Sequence, residues 1–572
     1  MLYIMQEIKK LISDQLVQII KDKFGLELAE NCLPAAGVEL SYPVFASQGD
    51  LTWPVFGLAK KMAKSPVELA TLVASAWTSL PIVAEVKAEG PYVNFYLSSN
   101  RLALDLFADF DRSIENIGQG KKIMIEFANV NTHKEFHIGH LRNVAFGQAV
   151  SGMLSGIGYQ ALPVSYVNDF GIHTAKTIWQ LVKEPITDKS SVNRGYILGQ
   201  AYVAAVAAIG DDEQAKKEVG SIMTEIEARQ GESYQIWQET RQWSIDYFQS
   251  IYELLKIKFT NYYYESDLID RGRKLVQDLL AKGILTESQG AVIADLADED
   301  LGVLVILRQD GTALYPVADL ALAMEKFASA NLDKSLYVVD KRQALYFKQL
   351  FAVLKRIGYE APMLHLAYDF VTLPSGMMSS RSGNTVLFSD LYQECYKSLE
   401  LETRARHADW SAEKISQVAS QLSVATLKFE MIKVSADKII TFDIKEALRF
   451  EGYTAAYLQY SSARINSVLA KAGEWLIATE ELTFTESAEK SLLMGLAKYP
   501  ELLAEAASKY EPAILAQYLF EVAQLFNDFY QNCPILSAES KLKQSRLALI
   551  GHTQRVLSAG LAVLGIEVVS EM

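Results

Sequence analysis

A short apolar run, Ile123-Met124-Ile125-Glu126-Phe127, begins the most informative segment of the chain. Its β-rich composition favours a buried parallel strand. A helical pattern follows over residues 139 to about 157, Gly158 ends it, and residues 161–167 predict a second strand. A strand, a helix and another strand in this order form a βαβ unit. The segment therefore predicts an α/β protein whose core is a doubly wound, Rossmann-like parallel sheet.

Two further regions flank the predicted core. Residues 1–112 contain an amphipathic helix and a strand-like run at 90–97, and they predict a small α+β domain. Residues 113–395 contain the core, with a mostly helical insertion near 175–290. Residues 396–572 have helical patterns almost to the end and predict an all-α bundle. Later strand candidates in the core lie at 303–307, 335–339 and 364–370.

Composition excludes several classes of protein. Half of the 572 residues are hydrophobic and 22% are charged, which is typical of a globular chain. Lys and Arg together number 55, whereas Asp and Glu number 69, so the net charge is −14. This balance argues against non-specific binding to nucleic acid or to anionic membranes, although it allows a local basic groove.

The cysteines and the N-terminus bear on the cellular compartment. Cys32, Cys395 and Cys533 are far apart and form no C-x-x-C pair, so neither a zinc ribbon nor a disulfide framework is expected. Lys9 and Lys10 follow the first apolar residues, whereas a secretory signal has its basic residues first. No stretch approaches 18 consecutive apolar residues. These features predict a cytoplasmic protein with reduced thiols and no membrane span.

The strongest motif is His137-Ile138-Gly139-His140, at the turn between the first core strand and its helix. Nucleotide phosphates bind where a loop leaves the carboxyl edge of a parallel strand and begins a helix. Two imidazoles there can donate hydrogen bonds to phosphate oxygens, and Gly139 lets the backbone approach a ligand closely. A metal pair and a helix-capping role are the alternatives, but no third metal ligand is evident. Neither G-x-x-x-x-G-K-[ST] nor a G-x-G-x-x-G after a strand is present, so ATP binding would depend on this turn.

The segment 129–143 around this motif resembles the adenylate site of class I aminoacyl-tRNA synthetases, and specifically of arginyl-tRNA synthetases. Similar segments follow in the family's order at 166–171, at 310–315 with Asp319, at 339–343 with Phe347, and at 450–464. The resemblance implies that the carboxylate of arginine attacks the α-phosphorus of ATP and releases pyrophosphate. The arginyl group then passes to the terminal ribose of its tRNA, which must be bound for the first step.

The resemblance also implies the partners. ATP enters as its Mg²⁺ complex, L-arginine and the tRNA for arginine are the other substrates, and no tightly bound protein metal is expected. We expect a monomer. His137 and His140 would act as catalytic residues by stabilising charge on the phosphates.

One segment departs from the family pattern. Residues 376–384 match the second phosphate loop, K-M-S-K-S, but Met377 replaces the first lysine and Ser380 the second. The resemblance implies that Lys134 supplies the missing cation as a third catalytic residue. The alternatives are an ordinary loop lysine and an inactive, tRNA-binding paralogue. The ATP-binding residues implied are Gly139, His137, His140, Met378, Ser379 and Arg381.

Recognition of arginine needs acidic groups, because the planar guanidinium prefers bidentate carboxylates. The resemblance assigns this role to Glu265, Tyr315 and Asp319, and the last two share a face if their segment is helical. It assigns the binding of the backbone groups of the arginine substrate to Asn129, Asn131 and Gln343. Where the family often has Ser and Pro, this chain has Asn129 and Glu135. A class I synthetase for a neutral amino acid is disfavoured, because it would leave buried carboxylates unpaired.

Contacts with tRNA are implied at both ends of the chain. Tyr92, Asn94 and Phe95 match family positions that touch the bend of the tRNA, although a buried strand explains them equally well. Tyr457, Tyr460 and Arg464 offer aromatic faces and a cation to anticodon-loop bases, although packing in the helical core is the alternative for both tyrosines. The segment 541–566 adds basic residues and no acidic one, namely Lys541, Lys543, Arg546 and Arg555.

Overall fold

The N-terminal residues form a small α+β domain, as predicted. The computed structural model describes residues 4–26, 38–108, 116–186, 194–374, 386–473 and 482–572. The domain consists of α1 (Ile4–Phe24), β1 (Leu51–Pro54), α2 (Phe56–Met62), α3 (Pro66–Ser75), β2 (Val83–Glu89), β3 (Tyr92–Leu97) and α4 (Ser99–Ala108). Strand β3 is central and pairs antiparallel with β1 and β2. The helices cover one face of this sheet, where Trp53 and Phe95 are fully buried.

The predicted βαβ unit is confirmed. It comprises β4 (Lys122–Glu126), α5 (Ile138–Gly156) and β5 (Gln160–Val167), and α6 (Ile172–Lys183) follows it. The chain continues through α7 (Arg194–Ile209), α8 (Glu213–Glu227), α9 (Gly231–Leu254), β6 (Asn261–Tyr264) and α10 (Glu265–Ala281). After β7 (Thr286–Ser288), β8 (Ala291–Leu296) and β9 (Gly302–Leu307) come α11 (Tyr315–Ala330), β10 (Lys334–Asp340), α12 (Ala344–Arg356) and β11 (Met363–Tyr368).

The core sheet has the order β11-β10-β4-β5-β6, and every neighbouring pair is parallel. Strands β5 and β6 extend it on one side of β4, whereas β10 and β11 extend it on the other. The direction of winding therefore reverses at β4. Ligands of such sheets bind outside the carboxyl ends of the strands at this reversal point. The loop after β4, which carries the histidine motif, lies there.

Two details differ from the sequence-based expectation. The run at 303–307 does form a strand, β9, but it belongs to a separate antiparallel sheet, β7-β8-β9, and not to the core. The insertion near 175–290 is mostly helical, yet it contains β6, which completes the parallel sheet. Both differences arise because strand pairing is a long-range property, whereas periodicity reports only on the local backbone.

The remaining residues form the helical C-terminal region. Its elements are β12 (Val371–Thr372), α13 (Phe388–Arg406), α14 (Ala412–Ile432), β13 (Ile440–Thr441), α15 (Ile444–Ala447), α16 (Ala455–Ala472), α17 (Ser487–Ala497), α18 (Tyr499–Lys509), α19 (Pro512–Asn532) and α20 (Ser540–Val563). The predicted domain boundary at 395/396 falls inside α13, so the helix is continuous across it. The boundaries stay predictions.

Helix α5 connects the core sheet to this helical region. Most of its side chains are buried. A Cβ atom at Gly152 would lie 2.0 Å from the carbonyl oxygen of Val563 in α20, so only glycine permits this close approach. Because the histidine motif begins α5, the same helix connects the carboxyl edge of the core sheet to the C-terminal bundle.

Two observations concern the compartment prediction. Within the described ranges, no helix is both long enough and apolar enough to cross a membrane. Cys395 and Cys533 are free and buried, whereas Cys32 lies outside the described residues.

Candidate active site

The two histidines of the motif are held by reciprocal hydrogen bonds at the start of α5. His137 is the N-cap residue, and its Nδ1 accepts from the backbone N–H groups of Gly139 (3.1 Å) and His140 (3.3 Å). Nδ1 of His140 in turn accepts from the backbone N–H of His137 at 3.3 Å. The rings stack with centroids 3.7 Å apart and planes 14° apart. This capping box fixes both imidazoles relative to the helix.

The protonation of these rings follows from their bonds and burial. Burial lowers the pKa of His137 to about 4, helped by the positive charge of Lys134, and it lowers the pKa of His140 well below its usual value. Both rings are therefore neutral at pH 7. Because each Nδ1 accepts, each ring carries its proton on Nε2. The capping role and the phosphate-binding role are compatible, because they use different nitrogens.

A cavity of about 320 Å³ adjoins the two rings, and we call it the histidine cavity. Helix α7 forms its opposite wall, where Tyr202 lies with its ring centroid 4.8 Å from Nζ of Lys134. The cavity is lined by Asn131, Lys134, Glu135, His137, His140, Gly199, Gln200, Tyr202, Val203 and Leu387. A cation and two neutral N–H donors that border one cavity are suited to an anion, and burial raises the pKa of Glu135 in the same lining to about 7, which reduces its negative charge.

The loop before the motif is anchored by His133, which the sequence analysis did not select. His133 is fully buried and has a positive φ of 61°. Its backbone N–H donates to Oγ of Ser244 at 2.9 Å, and its Nε2 lies 2.8 Å from Oγ1 of Thr240. Burial lowers its pKa to about 3. Helix α9 therefore holds the backbone immediately before Lys134.

A second cavity, of about 400 Å³, lies beside the first, and we call it the carboxylate cavity. Five of the six predicted arginine-binding residues line it, namely Asn129, Asn131, Tyr315, Asp319 and Gln343. Asn131 lines both cavities. The structure adds Glu126, Tyr166, Asn168, Tyr337 and Tyr346 to the lining. The sixth predicted residue, Glu265, accepts a hydrogen bond at 3.2 Å from Nδ2 of Asn168.

Asp319, which lines this cavity, and Glu265, which bonds to the lining residue Asn168, both have strongly raised pKa values. Burial raises the pKa of Asp319 to about 7, although its hydrogen bond from the Tyr346 hydroxyl opposes the shift. Burial also raises the pKa of Glu265 to about 8, and the negative charge of Asp319 adds to that shift. Two acids that burial holds near neutrality beside one another form a site for a cation.

Asp169 positions Glu265 and was missed as an individual residue. It is completely buried, and its carboxylate accepts from the backbone N–H (2.9 Å) and Oγ (2.7 Å) of Ser266. It also accepts from Nε of Arg241 at 2.5 Å. The end of β5, the start of α10 and helix α9 are thus joined at one carboxylate. These bonds fix the first turn of α10, where Glu265 is the first residue.

Asn129 has one satisfied and one unsatisfied atom. Its Nδ2 donates to Oε1 of Glu126 at 2.8 Å, and Glu126 also forms a buried ion pair with Lys326. Oδ1 of Asn129 is buried with no hydrogen-bond partner among the described residues. A buried carbonyl oxygen without a partner is costly, so a donor on a ligand would satisfy it. Asn129 lines the carboxylate cavity, so its side chain is placed where the ammonium group of a ligand could donate to it.

Comparison with known proteins agrees with this geometry. A family model described as tRNA synthetases class I (R), catalytic domain, matches residues 106–443. A model of the arginyl tRNA synthetase N-terminal domain matches residues 6–97, and a DALR anticodon binding domain model matches residues 458–572. The chain belongs to the arginyl-tRNA synthetase family.

Relatives of this family match nearly the whole chain. The arginine–tRNA ligase of Bdellovibrio bacteriovorus is 33% identical over 547 residues, which cover 93% of each chain. That of Treponema denticola is 32% identical over 585 residues and covers 97% of this chain and 98% of its own. The solved arginyl-tRNA synthetase of Thermus thermophilus superposes with a TM-score of 0.80 at 25% identity, covering 99% of this chain and 100% of its own.

The segment that matches the synthetase's second phosphate loop, with Met377, Met378, Ser379 and Arg381, lies outside the described residues. The residues that follow it are attached to the histidine turn. The backbone N–H of Ile138 donates to the carbonyl of Val386 at 3.1 Å, and that of Phe388 donates to the carbonyl of Phe136 at 3.0 Å. Arg342 is a further cation near this turn, since its charge contributes to the lowered pKa of His137.

The three predicted tRNA-contacting residues of the N-terminal domain differ in exposure. Tyr92 is 40% exposed. Asn94 is buried and accepts from Oγ1 of Thr52 at 2.6 Å, and Phe95 packs against Trp77 in the domain core. Of the three, Tyr92 alone offers its side chain to a partner. The buried-strand alternative therefore describes the other two.

The predicted anticodon-binding residues form one cluster between α16 and α19. Asn527 donates to the hydroxyl of Tyr457 at 2.9 Å and accepts from Arg464 at 2.8 Å. Arg464 also donates to the hydroxyl of Tyr460 at 2.9 Å. All three predicted side chains are half-buried, so they hold each other and remain partly accessible.

The basic segment 541–566 needs one correction. Arg546 is 3% exposed and forms an ion pair with Glu489, with 2.6 Å between Nε and Oε1. The charge pattern suggested that Arg546 binds phosphates of tRNA, but its guanidinium is buried and already paired, so it cannot do so. The sequence shows the charge but not the partner on α17, which is 57 residues away.

Proposed function

We propose that this chain is an arginine–tRNA ligase that activates arginine with ATP and transfers it to the 3′ end of its tRNA. The observation that carries this proposal is the pair of adjoining cavities that share Asn131. One cavity is lined by the buried Asp319, with the buried Glu265 behind the lining residue Asn168, for a guanidinium, and the other is lined by neutral donors and a lysine for phosphates. Membership of the family supports the class of reaction.

Arginine occupies the carboxylate cavity in this proposal. Its guanidinium pairs with Asp319 and Glu265, and Tyr315 borders the entrance. Its ammonium group donates to the unsatisfied Oδ1 of Asn129, while Asn131 and Gln343 bind its remaining backbone groups. The carboxylate of arginine then lies near Asn131, where the two cavities meet. This placement brings the nucleophile to the side of the histidine cavity.

ATP occupies the histidine cavity, with Mg²⁺ carried as part of this substrate. An oxygen of the arginine carboxylate forms a bond to the α-phosphorus. The bond from that phosphorus to the bridging oxygen breaks, and pyrophosphate leaves with the electron pair. The Nε2–H groups of His137 and His140 donate to the phosphate oxygens, and Lys134 offsets the charge of the leaving group. Close backbone approach at Gly139 and contacts from Met378, Ser379 and Arg381 complete the proposed ATP site.

Transfer requires the tRNA at two places. We assign the anticodon loop to Tyr457, Tyr460 and Arg464, because clustered aromatic and basic side chains bind unstacked bases. Tyr92 contacts the body of the tRNA, with Asn94 and Phe95 supporting its strand. The terminal ribose hydroxyl attacks the carbonyl carbon of the adenylate, and AMP leaves. A monomer in the cytoplasm remains our prediction.

The experiment that tests this function is arginine-dependent ATP–pyrophosphate exchange, with and without tRNA from a related cell. We expect exchange only when tRNA is present. No exchange in either condition, with tRNA still bound in a shift assay, would identify an inactive tRNA-binding paralogue. Exchange in the absence of tRNA would contradict only the prediction that activation of arginine requires bound tRNA. Dependence on another amino acid would overturn the assignment of arginine.

A further inference from the structure

Arg142 is a buried cation at the start of the second turn of α5, the second residue after His140. Only 1% of it is exposed. Its guanidinium donates to four backbone carbonyl oxygens, those of Phe370 (3.1 Å), Ser435 (3.4 Å), Ala436 (3.1 Å) and Lys438 (2.9 Å). A buried guanidinium that bonds only to neutral oxygens contributes less to stability than an ion pair, so its role lies in the segments that it joins.

The carbonyls of Ser435, Ala436 and Lys438 belong to the turn between α14 and β13, within the C-terminal helical region. This turn is also held from the opposite side. The carboxylate of Glu511 accepts from Oγ of Ser435 at 3.1 Å and from the backbone N–H of Ala436 at 3.3 Å. The backbone N–H of Asp369 donates to the carbonyl of Ala436 at 2.8 Å. Arg142 and Glu511 therefore hold one turn between them.

Glu511 connects this turn to the predicted anticodon-binding cluster. It is the N-cap residue of α19, and Asn527 lies on the same helix. Sixteen residues of α-helix separate the two side chains by about 24 Å. Asn527 bonds to Tyr457 and Arg464 in that cluster. A rigid helix thus links the cluster to the turn, and Arg142 links the turn to α5.

We propose that Arg142 is a positioning residue for adenylate formation, which fixes the histidine turn to the 435–438 turn of the C-terminal region. It acts through the backbone of α5 and does not touch the substrate. The anticodon-binding region thereby sets the position of His137 and His140. The inference rests on the proposed function, because it assigns Arg142 to the ATP side of that reaction.

The test uses the full chain in steady-state arginylation with tRNA, with ATP and arginine varied separately. Arg142→Lys keeps the charge but loses the fork of donors, and Arg142→Met loses both. Because small displacements of binding groups are costly, we expect Arg142→Lys to raise the KM for ATP about tenfold and Arg142→Met to raise it further. The KM for arginine stays within about twofold, because α10 and α11 supply the acids of its cavity.

Lys428 provides the matched control. It is also buried, on the side of α14 that faces α5, and among the described residues its hydrogen bonds are to the neutral oxygens of Gln148, Leu255 and Gly565. It meets α5 two turns beyond the histidines. Lys428→Met should lower the midpoint of thermal unfolding and leave the KM for ATP within about twofold. If Lys428→Met raised the KM for ATP as much as the Arg142 variants do, the effect of Arg142 would be one of general packing, and the proposal would be overturned.

Glu511→Gln tests the same connection from the other side. We expect Glu511→Gln to raise the KM for ATP less than Arg142→Lys does. In the double variant, the fold-increase in the KM for ATP should be smaller than the product of the two single increases. If the Arg142 variants do not fold, an unchanged KM for ATP in Glu511→Gln overturns the proposal. The proposal is also overturned if Arg142→Lys has the same KM for ATP and the same unfolding midpoint as the unaltered chain. Absence of arginylation by the unaltered chain would instead contradict the proposed function.

Discussion

The histidine cavity and the carboxylate cavity are neighbours that share Asn131, but burial acts on them in opposite directions. In the histidine cavity burial lowers the pKa of His137 to about 4. In the carboxylate cavity it raises the pKa of Asp319 to about 7 and that of Glu265 to about 8. In both cases the neutral form is favoured, because a low-dielectric environment penalises charge of either sign.

The difference lies in what each cavity gains from its substrate. In the proposed function the histidines need no charge, since a neutral Nε2–H can donate to a phosphate oxygen. The acids gain their charge when a cation arrives and lowers their pKa values again. The histidine cavity is therefore preorganised, whereas the carboxylate cavity is completed by its ligand. Substitutions and pH should separate the two cavities in a predictable way.

The largest effect is expected from Asp319→Asn. The change removes one carboxylate from the guanidinium site, so we expect kcat/KM for arginine to fall about 10³-fold, as for other buried charge pairs that lose a partner. The KM for ATP should change little. Steady-state arginylation measures both values. Asp267→Asn, an exposed acid on α10, is the control, and an equal loss there would contradict the assignment.

Lys134→Ala should impair the use of ATP in the histidine cavity. Loss of a cation that stabilises the leaving pyrophosphate should lower kcat/KM for ATP about 10²-fold, the usual range for removal of one charge-stabilising group. ATP–pyrophosphate exchange in the presence of tRNA measures this value. Lys217→Ala, on the exposed side of α8, should keep normal activity. Near-normal exchange by Lys134→Ala would show that another cation compensates for Met377.

The pH dependence should distinguish the cavities without any substitution. The raised pKa values mean that Asp319 and Glu265 are partly protonated at neutral pH, and the protonated forms cannot pair with a guanidinium. The KM for arginine should therefore rise about 50-fold as the pH falls from 7 to 6, because both acids must be ionised to pair with the guanidinium. The KM for ATP should change far less between pH 6 and 8, because the histidines remain neutral there and the charge that changes in their cavity is that of Glu135, whose pKa burial raises to about 7. Parallel profiles for both substrates would contradict the comparison.

A smaller effect is expected from Thr240→Val, which removes the hydroxyl beside Nε2 of His133. The buried N–H then has no acceptor, so we expect the free energy of unfolding to fall by about 1 kcal/mol. The loop before Lys134 should loosen, and kcat/KM for ATP should fall about threefold. Denaturant unfolding and exchange assays measure the two effects. Thr224→Val provides the control, since its hydroxyl donates to a helical carbonyl in the same way but is exposed.

Sequence reasoning predicted the parts of this site that depend on local order. The strand, turn and helix around His137 and His140 are contiguous, and Tyr315 and Asp319 lie four residues apart on one helix. The turn type and the helical period are local signals. For the guanidinium site, the resemblance to a family supplied the ligand chemistry that spacing alone could not.

The parts that were missed depend on contacts between distant residues. His133 meets Thr240 across 107 positions, Asp169 meets Ser266 across 97, and Lys326 meets Glu126 across 200. Nothing in the local pattern indicates these pairs. The burial of Arg546 is of the same kind, because a charged residue in an amphipathic helix has the same local pattern whether it faces water or a buried acid.

The most direct test of the central claim is a proton count for arginine binding. Isothermal titration at pH 7, without ATP, in two buffers of different ionisation enthalpy gives the number of protons exchanged. The carboxylate pair predicts a release of about one proton on arginine binding, because the guanidinium lowers both raised pKa values. Citrulline, which has a neutral ureido group in place of the guanidinium, should release none. Binding of arginine with no proton release, or with proton uptake, would contradict recognition by Asp319 and Glu265.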